Sequence, residues 1–189
     1  AGGRFGSYFW LLAAALAASL AGDVFLMLQG FFIPGLVSFL VAHLFYIALF
    51  KQGVPWFPSR RALAIPLAIG AGMYVFLWAG GLPAALRLPV AAYVGVIALM
   101  AAQALGRATV LRTPASIGVA AGACVFMLSD SVLATNRFVV ALPLGQFWVL
   151  ATYYVAQFLI VRNTVAGAPA PVADQPSAVQ RLVSSATVR

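Results

Sequence analysis

Six stretches of about twenty mainly apolar residues follow one another along the chain, at roughly 7–28, 31–50, 62–80, 88–106, 114–134 and 139–161. A helix needs about 20 such residues to cross the hydrocarbon core of a bilayer, so each stretch reads as one membrane span. The first runs well past a signal-peptide core and is read as a span with the others. Short breaks with turn chemistry divide them: Gln29-Gly30, Gly53-Val54-Pro55 with Phe57-Pro58-Ser59, Gly80-Gly81-Leu82-Pro83, and Arg112-Thr113-Pro114. In lipid, a helix satisfies its own backbone and an open sheet cannot. The pattern therefore predicts an all-α, polytopic transmembrane helical bundle over residues 1–162. Residues 163–189, rich in Ala, Pro, Ser and Val and without a periodic apolar face, are expected to form a disordered cytoplasmic tail.

Composition agrees with this pattern. Hydrophobic residues make up 64% and charged residues 7% of 189 residues, and mean hydropathy is +1.04. A soluble domain of that size has too little interior to hide so much apolar surface. The net charge of +8 does not imply a nucleic-acid partner, because the basic residues are scattered singly between apolar stretches. They act instead as topology signals. One side of the membrane receives Arg4, Lys51, Arg60, Arg61, Arg107, Arg112, Arg162, Arg181 and Arg189, and the other only Arg87 and Arg137. That asymmetry puts both ends of the chain in the cytoplasm. Basic residues that are almost all Arg, with Lys51 the only lysine, fit a GC-rich bacterial genome and hence an inner-membrane protein. Cys124 is the only cysteine; it lies in an apolar run, excludes a disulfide framework or cysteine metal site, and reads as a packing residue.

Against this background the few polar residues at membrane depth carry the information. Only three acids occur, and two of them, Asp23 and Asp130, sit inside spans. A carboxylate there costs roughly 3 kcal/mol or more unless it is paired, protonated or used. Asp174 lies in the polar tail. With the first and fifth spans running outward, Asp23 falls one to two turns and Asp130 about one turn from their outer ends. Two acids at one depth can divide the labour of general acid and base. The plainer reading, in which each only locks the bundle by hydrogen bonds, stands beside it. Arg137, seven residues beyond Asp130 on the same face, is the expected counter-charge.

His43, Tyr153 and Gln157 fall deeper, on spans running inward. One His with two Asp is a poor zinc set, so His43 reads as a hydrogen-bonding, headgroup or proton-shuttling residue, and no metal site is expected. Tyr153 and Gln157, four apart, share a helix face beside Tyr154; interhelical glue is the alternative. Ser129 and Asn136 flank Asp130 and are candidates to orient it or to bind phosphate. A faint recurrence links the halves: Asp23 precedes Phe31 by eight residues as Asp130 precedes Phe138, and Gly35 precedes His43 by eight as Gly145 precedes Tyr153. It suggests a parallel internal repeat, with chance in a biased composition as the rival reading. No nucleophile elbow, phosphate-binding loop or dinucleotide fingerprint is present. The Ala-Gly-Asp23 triplet lacks the leading glycine of intramembrane proteases of the presenilin type.

Several of these segments carry a family resemblance in a fixed order. Ser-Leu-Ala-Gly-Asp23-Val-Phe-Leu-Met comes first, then Val-Ala-His43-Leu-Phe-Tyr46. Phe126-Met-Leu-Ser129-Asp130-Ser-Val-Leu-Ala-Thr-Asn136-Arg137-Phe138 follows, and Thr152-Tyr-Tyr-Val-Ala-Gln157 closes the set. Together they resemble the YhhN-type lysoplasmalogenase family over roughly residues 10–162. The resemblance implies a membrane hydrolase that cleaves the vinyl ether bond of lysoplasmalogens. Its products are a fatty aldehyde and glycerophosphoethanolamine or glycerophosphocholine. It implies a lysophospholipid substrate within membrane lipid, no cofactor, and Asp23 and Asp130 as the acidic positions. His43, Tyr46, Ser129, Asn136, Arg137, Tyr153, Tyr154 and Gln157 would support them or bind substrate. The family usually has about eight spans, two of them before the Gly-Asp helix, whereas this chain shows six. A rival class, a small proton-coupled transporter, would use the same buried acids as a relay.

Overall fold

A computed structural model describes residues 2–168, with side chains from Gly6 onward. Six helices account for nearly all of it: α1 (Gly2–Met27), α2 (Phe32–Phe50), α3 (Arg60–Ala79), α4 (Ala84–Leu111), α5 (Pro114–Phe138) and α6 (Gly145–Ala166). All six are long and apolar enough to cross a membrane, and among the described residues there is no strand. The protein is an integral membrane protein of the expected all-helical class.

Local chemistry sets the helix ends. Arg112, in the left-handed region at φ 52°, stops α4, and Thr113 then caps α5 in a reciprocal pair with Ser116, with Pro114 in the first turn. Gly30, at φ +82°, turns α1 into α2. Two boundaries depart from the sequence reading. Helix α5 continues to Phe138, and α6 starts only at Gly145 and runs through Ala166. The apolar run between them, Val139–Leu144, is a turn: the Leu142 amide donates to Asn136 Oδ1 at 2.8 Å, and Leu144 is left-handed at φ 55°. Residues 163–166, expected in the tail, are therefore helical, and most of the expected disordered tail lies outside the described residues.

Successive helices run antiparallel, since links such as residues 28–31 and 80–83 are too short to recross a bilayer. The 51–59 link is held at the C-terminal end of α4, where Gln103 Oε1 accepts from the Phe57 amide at 2.8 Å and Gln103 Nε2 donates to the Pro55 carbonyl at 3.2 Å. Lys51, Arg60, Arg61, Arg107, Arg112 and Arg162 thus gather at one end of the bundle, and Arg87 and Arg137 at the other.

Lipid tails are as apolar as a Leu side chain, so helices in a membrane associate by close packing rather than by hydrophobic burial. Glycines supply the close approaches. A Cβ on Gly22 would lie 2.6 Å from the Phe39 ring, and one on Gly122 only 3.0 Å from backbone atoms of Ala156 and Ile160. These positions zip α1 to α2 and α5 to α6. The two acid-bearing helices therefore each form a tight hairpin with their successor. Helix α4 lies between the hairpins and also packs on α3. The core around it holds Tyr46, Phe50, Met100, Phe126 and Ile160, all essentially inaccessible.

Candidate active site

Because α5 runs to Phe138, Asp130 lies eight residues inside its end (138 − 130), about 12 Å along the axis at 1.5 Å per residue. That is one turn deeper than the sequence suggested. Asp23 lies four residues inside the end of α1 (27 − 23).

Each carboxylate is held by a tyrosine from a distant helix. The Tyr93 hydroxyl on α4 donates to Asp130 Oδ2. The Tyr153 hydroxyl on α6 donates to Asp23 Oδ2 at 2.8 Å and accepts from Gln157 Nε2 at 3.2 Å. Gln157 Oε1 in turn accepts from the Tyr46 hydroxyl on α2 at 2.6 Å. The helices α1 and α6 are not among the pairs that pack closely, so this line of hydroxyl, amide and carboxylate spans the gap between the hairpins. Sequence motif and geometry meet here: Asp23, Tyr46, Tyr153 and Gln157 form one network.

An aromatic wall joins the two acid–tyrosine pairs. The Tyr153 ring meets Phe126 edge-on at 5.4 Å, Phe126 meets His43 at 4.8 Å, and His43 meets Tyr93 at 5.4 Å. His43 is fully buried. Its Nδ1 bonds the Phe39 carbonyl at 2.6 Å; a carbonyl only accepts, so Nδ1 carries the proton. Nε2 has no partner among the described residues.

Asp130 also lines an apolar cavity bordered by residues of α1 to α5 including Leu36, Met73, Val94 and Met127. Among the described residues the only polar side chains on its wall are Tyr93, Asp130, Ser131 and Arg137. Toward the Arg-poor end it adjoins a second hollow of about 550 Å³ containing Gln29 and Gly30, and Leu26, Phe32 and Arg137 border both. The Arg137 guanidinium rests on the Phe32 ring at 4.2 Å. Asp23 does not line the cavity; its carboxylate is held by the Tyr153 hydroxyl.

The remaining sequence candidates lie elsewhere. Arg137 is not the expected counter-charge, since among the described residues it makes no ion pair with either acid. The buried Ser129 hydroxyl donates to the Val149 carbonyl at 3.0 Å and so ties α5 to α6 instead of orienting Asp130. Asn136 is committed to the α5–α6 turn. Tyr154 is 62% exposed and faces outward from the bundle. Among the described residues no group of three or more His, Cys, Asp or Glu is placed to hold a metal.

The sequence model of the YhhN family matches residues 2–164, which include every residue of this arrangement. The chain belongs to the YhhN family. Relatives within reach of it carry a common name. Lysoplasmalogenase TMEM86B of Homo sapiens is 37% identical over 169 residues, covering 89% of this chain and 69% of the relative. Lysoplasmalogenase TMEM86A of Homo sapiens is 31% identical, covering 79% and 63%. A protein of Mycobacterium bovis named lysoplasmalogenase is 33% identical, covering 86% and 62%. The chain thus spans about two thirds of the length of these relatives. No solved structure gives a significant match.

For this YhhN-family chain, the main residue that sequence reasoning missed is Tyr93. Ala-Ala-Tyr93-Val-Gly carries no motif. One signal was available: Tyr93 is the only tyrosine of α4, nine residues past its start (93 − 84), and so lies at nearly the depth of Asp130. Ser131, beside Asp130 on the cavity wall, is another such residue; its hydroxyl donates to the Met127 carbonyl at 2.8 Å.

Proposed function

We propose that this protein hydrolyses the vinyl ether bond of lysoplasmalogens, releasing a fatty aldehyde and glycerophosphoethanolamine or glycerophosphocholine. The observation that carries this reading is the placement of Asp130: among the described residues it is the only acid on the wall of an apolar cavity, and an arginine stands at the cavity mouth. The names of the relatives point to the same activity and lend the transporter reading no support.

The chemistry asks little of the protein beyond a well-placed proton. With the alkenyl chain in the apolar cavity, protonated Asp130 delivers its proton to the carbon distal to the ether oxygen. The C=C bond becomes a C–H bond and an oxocarbenium ion. An ionised carboxylate stabilises that cation and takes a proton from the attacking water. Asp130 itself, ionised once it has given up its proton, is the carboxylate on the cavity wall that does this, and Asp23, held by Tyr153 off the cavity, adds a second negative charge. The hemiacetal then collapses: the C–O bond breaks as the glycerol oxygen takes a proton from the carboxyl group, the hemiacetal hydroxyl returns its own proton to that carboxylate as the C=O bond forms, and the aldehyde leaves. Protons balance and no redox step occurs. Arg137, at the junction of the two hollows, is placed for the substrate phosphate, which puts the headgroup in the polar hollow and the ether bond near Asp130.

By the excess of Arg and Lys at the opposite end, this mouth opens at the outer face of a bacterial inner membrane, with both ends of the chain in the cytoplasm. Cysteines placed at Gln29 and Arg60 test that orientation: an impermeant maleimide added to intact cells should label only the former.

Incubating the purified protein with lysoplasmenylethanolamine and following fatty aldehyde tests the reaction itself. Aldehyde should appear and should not appear from the corresponding 1-acyl lysolipid. Transport of solute into liposomes without aldehyde release would replace the proposal with the carrier reading.

A further inference from the structure

The end of the bundle opposite the two acids holds a third hollow, with about 1,000 Å³ of empty space between α1, α4, α5 and α6. Arg107 and Arg162 both line it, with Tyr8, Ser116 and Asn163. Arg107 is the unusual member. It is only 8% exposed, yet all its partners are neutral: Nη1 donates to the Phe50 carbonyl at 3.1 Å and to the Gln52 carbonyl, and Nη2 donates to the Tyr8 hydroxyl at 3.1 Å. These bonds use three of the five N–H groups of a guanidinium. A buried charge is costly unless an opposite charge or a full set of hydrogen bonds compensates it. No acid among the described residues lies at this end: Asp23 and Asp130 are on the far side, and Asp174 is outside the described residues. Arg162, exposed on α6, adds a second guanidinium without a carboxylate.

Two cations share one hollow, therefore, and the described protein offers neither an anion. We propose that this hollow binds a phosphate group, held between Arg107 and Arg162 at the Arg-rich face of the membrane. A hollow at the ends of membrane spans meets lipid headgroups, and basic pockets between spans are known to take anionic ones. The phosphodiester of an anionic phospholipid is the source that this position favours; free phosphate is the other. Ser116 precedes Asp130 by fourteen residues on α5 (130 − 116), about 21 Å along the axis, so the site is distinct from the proposed active site and does not depend on its chemistry.

The test uses the full chain in dodecyl maltoside micelles. Its thermal-unfolding midpoint is measured against added phosphatidylglycerol, phosphatidylcholine, or inorganic phosphate at matched ionic strength, and native mass spectrometry records which lipid is retained. Phosphatidylglycerol should raise the midpoint in a saturable way and be retained, with phosphatidylcholine much weaker. Arg162→Gln should weaken the half-saturating concentration about tenfold, the usual value of one charge-assisted bond. Arg60→Gln, at the same end but outside the hollow, should leave it unchanged. Arg107→Gln should abolish the response; if that variant does not fold, Arg162→Gln and Arg60→Gln decide alone. Saturation by inorganic phosphate with no added effect of lipid would keep the site and assign it to the free anion. An equal response in wild type and Arg162→Gln, or equal effects of the two lipids, would overturn the proposal.

Discussion

Replacing Tyr153 by Phe removes one hydroxyl and keeps the ring, so the edge-on packing against Phe126 (5.4 Å) and Phe39 (5.9 Å) survives. Two hydrogen bonds are lost, one to Asp23 at 2.8 Å and one from Gln157 at 3.2 Å. In water-soluble proteins a bond to a charged group contributes about 1.5–3 kcal/mol and a neutral one about 0.5–1.5. Between membrane helices the measured average is nearer 0.6 kcal/mol, with a maximum of about 1.7, because separated helices find other partners within the bilayer. The membrane figure governs folding here, so Tyr153→Phe should cost about 1–2 kcal/mol of stability. Turnover has a different reference, namely a folded site in which Asp23 is held or loose. Loss of the charged bond at 1.5–3 kcal/mol then corresponds to roughly a 10- to 150-fold fall in kcat.

The comparison is therefore between two readouts of one variant: unfolding by sodium dodecyl sulfate titration and initial rate of aldehyde release. Tyr46→Phe supplies the control, since its bond to Gln157 is neutral and it touches neither acid; it should lower kcat by a few-fold at most. A double-mutant cycle of Tyr153→Phe with Asp23→Asn should show coupling well above the 0.3–0.5 kcal/mol scatter of independent sites. Additive effects, or a Tyr153→Phe enzyme that loses stability but keeps its kcat within twofold, would refute the view that Tyr153 positions a working carboxylate.

Other expectations concern separate parts of the molecule. Arg137→Ala should raise KM for the lysophospholipid about tenfold with kcat within about threefold, because a phosphate anchor remote from the reacting carbon contributes uniform binding; unchanged KM would remove Arg137 from the headgroup site. Gly122→Ala should lower stability by about 1–3 kcal/mol, since the added methyl meets α6 backbone that cannot turn aside. Gly72→Ala, with nothing within 4 Å of the added methyl, should be neutral or mildly stabilising, and melting curves in detergent compare the two. Gln103→Ala should release the 51–59 link, whose Phe57 sits at φ 41° with its amide held only by Gln103. Faster tryptic cleavage at Lys51 or Arg60 in the folded protein would report it.

The six helices were legible because each must present an apolar surface all round and end at a break in that pattern, as Gly80-Gly81 and Arg112-Thr113-Pro114 show. The start of α6 was not. Val139–Leu144 is as apolar as a helix, and only the capping of Leu142 by Asn136 and the left-handed Leu144 make it a turn. Hydropathy does not register such a backbone event. The same bond explains why Asn136, polar and close to Asp130 in sequence, is spent on the turn.

Within the candidate site, Asp23 and Asp130 were legible from the cost of burying a charge in lipid, and Tyr153 with Gln157 from their helical spacing. Which acid meets which tyrosine depended on the order of helices around the bundle, and that placed α4 and its isolated Tyr93 beside Asp130. Ser129 and Tyr154 show the opposite error. Each adjoins a site residue in sequence, yet a step of one residue turns a helical side chain by about 100°, which sent Ser129 toward α6 and Tyr154 outward.

Aldehyde release from lysoplasmenylethanolamine by Asp130→Asn, whose fold is first checked by its melting curve, tests the central claim most directly. An amide fills the same space and still accepts from Tyr93 but has no acidic proton to give, so turnover should fall by at least about a hundredfold, toward the 10²–10⁴ that a positioned acid contributes. Turnover close to that of the unaltered protein would show that Asp130 does not deliver the proton.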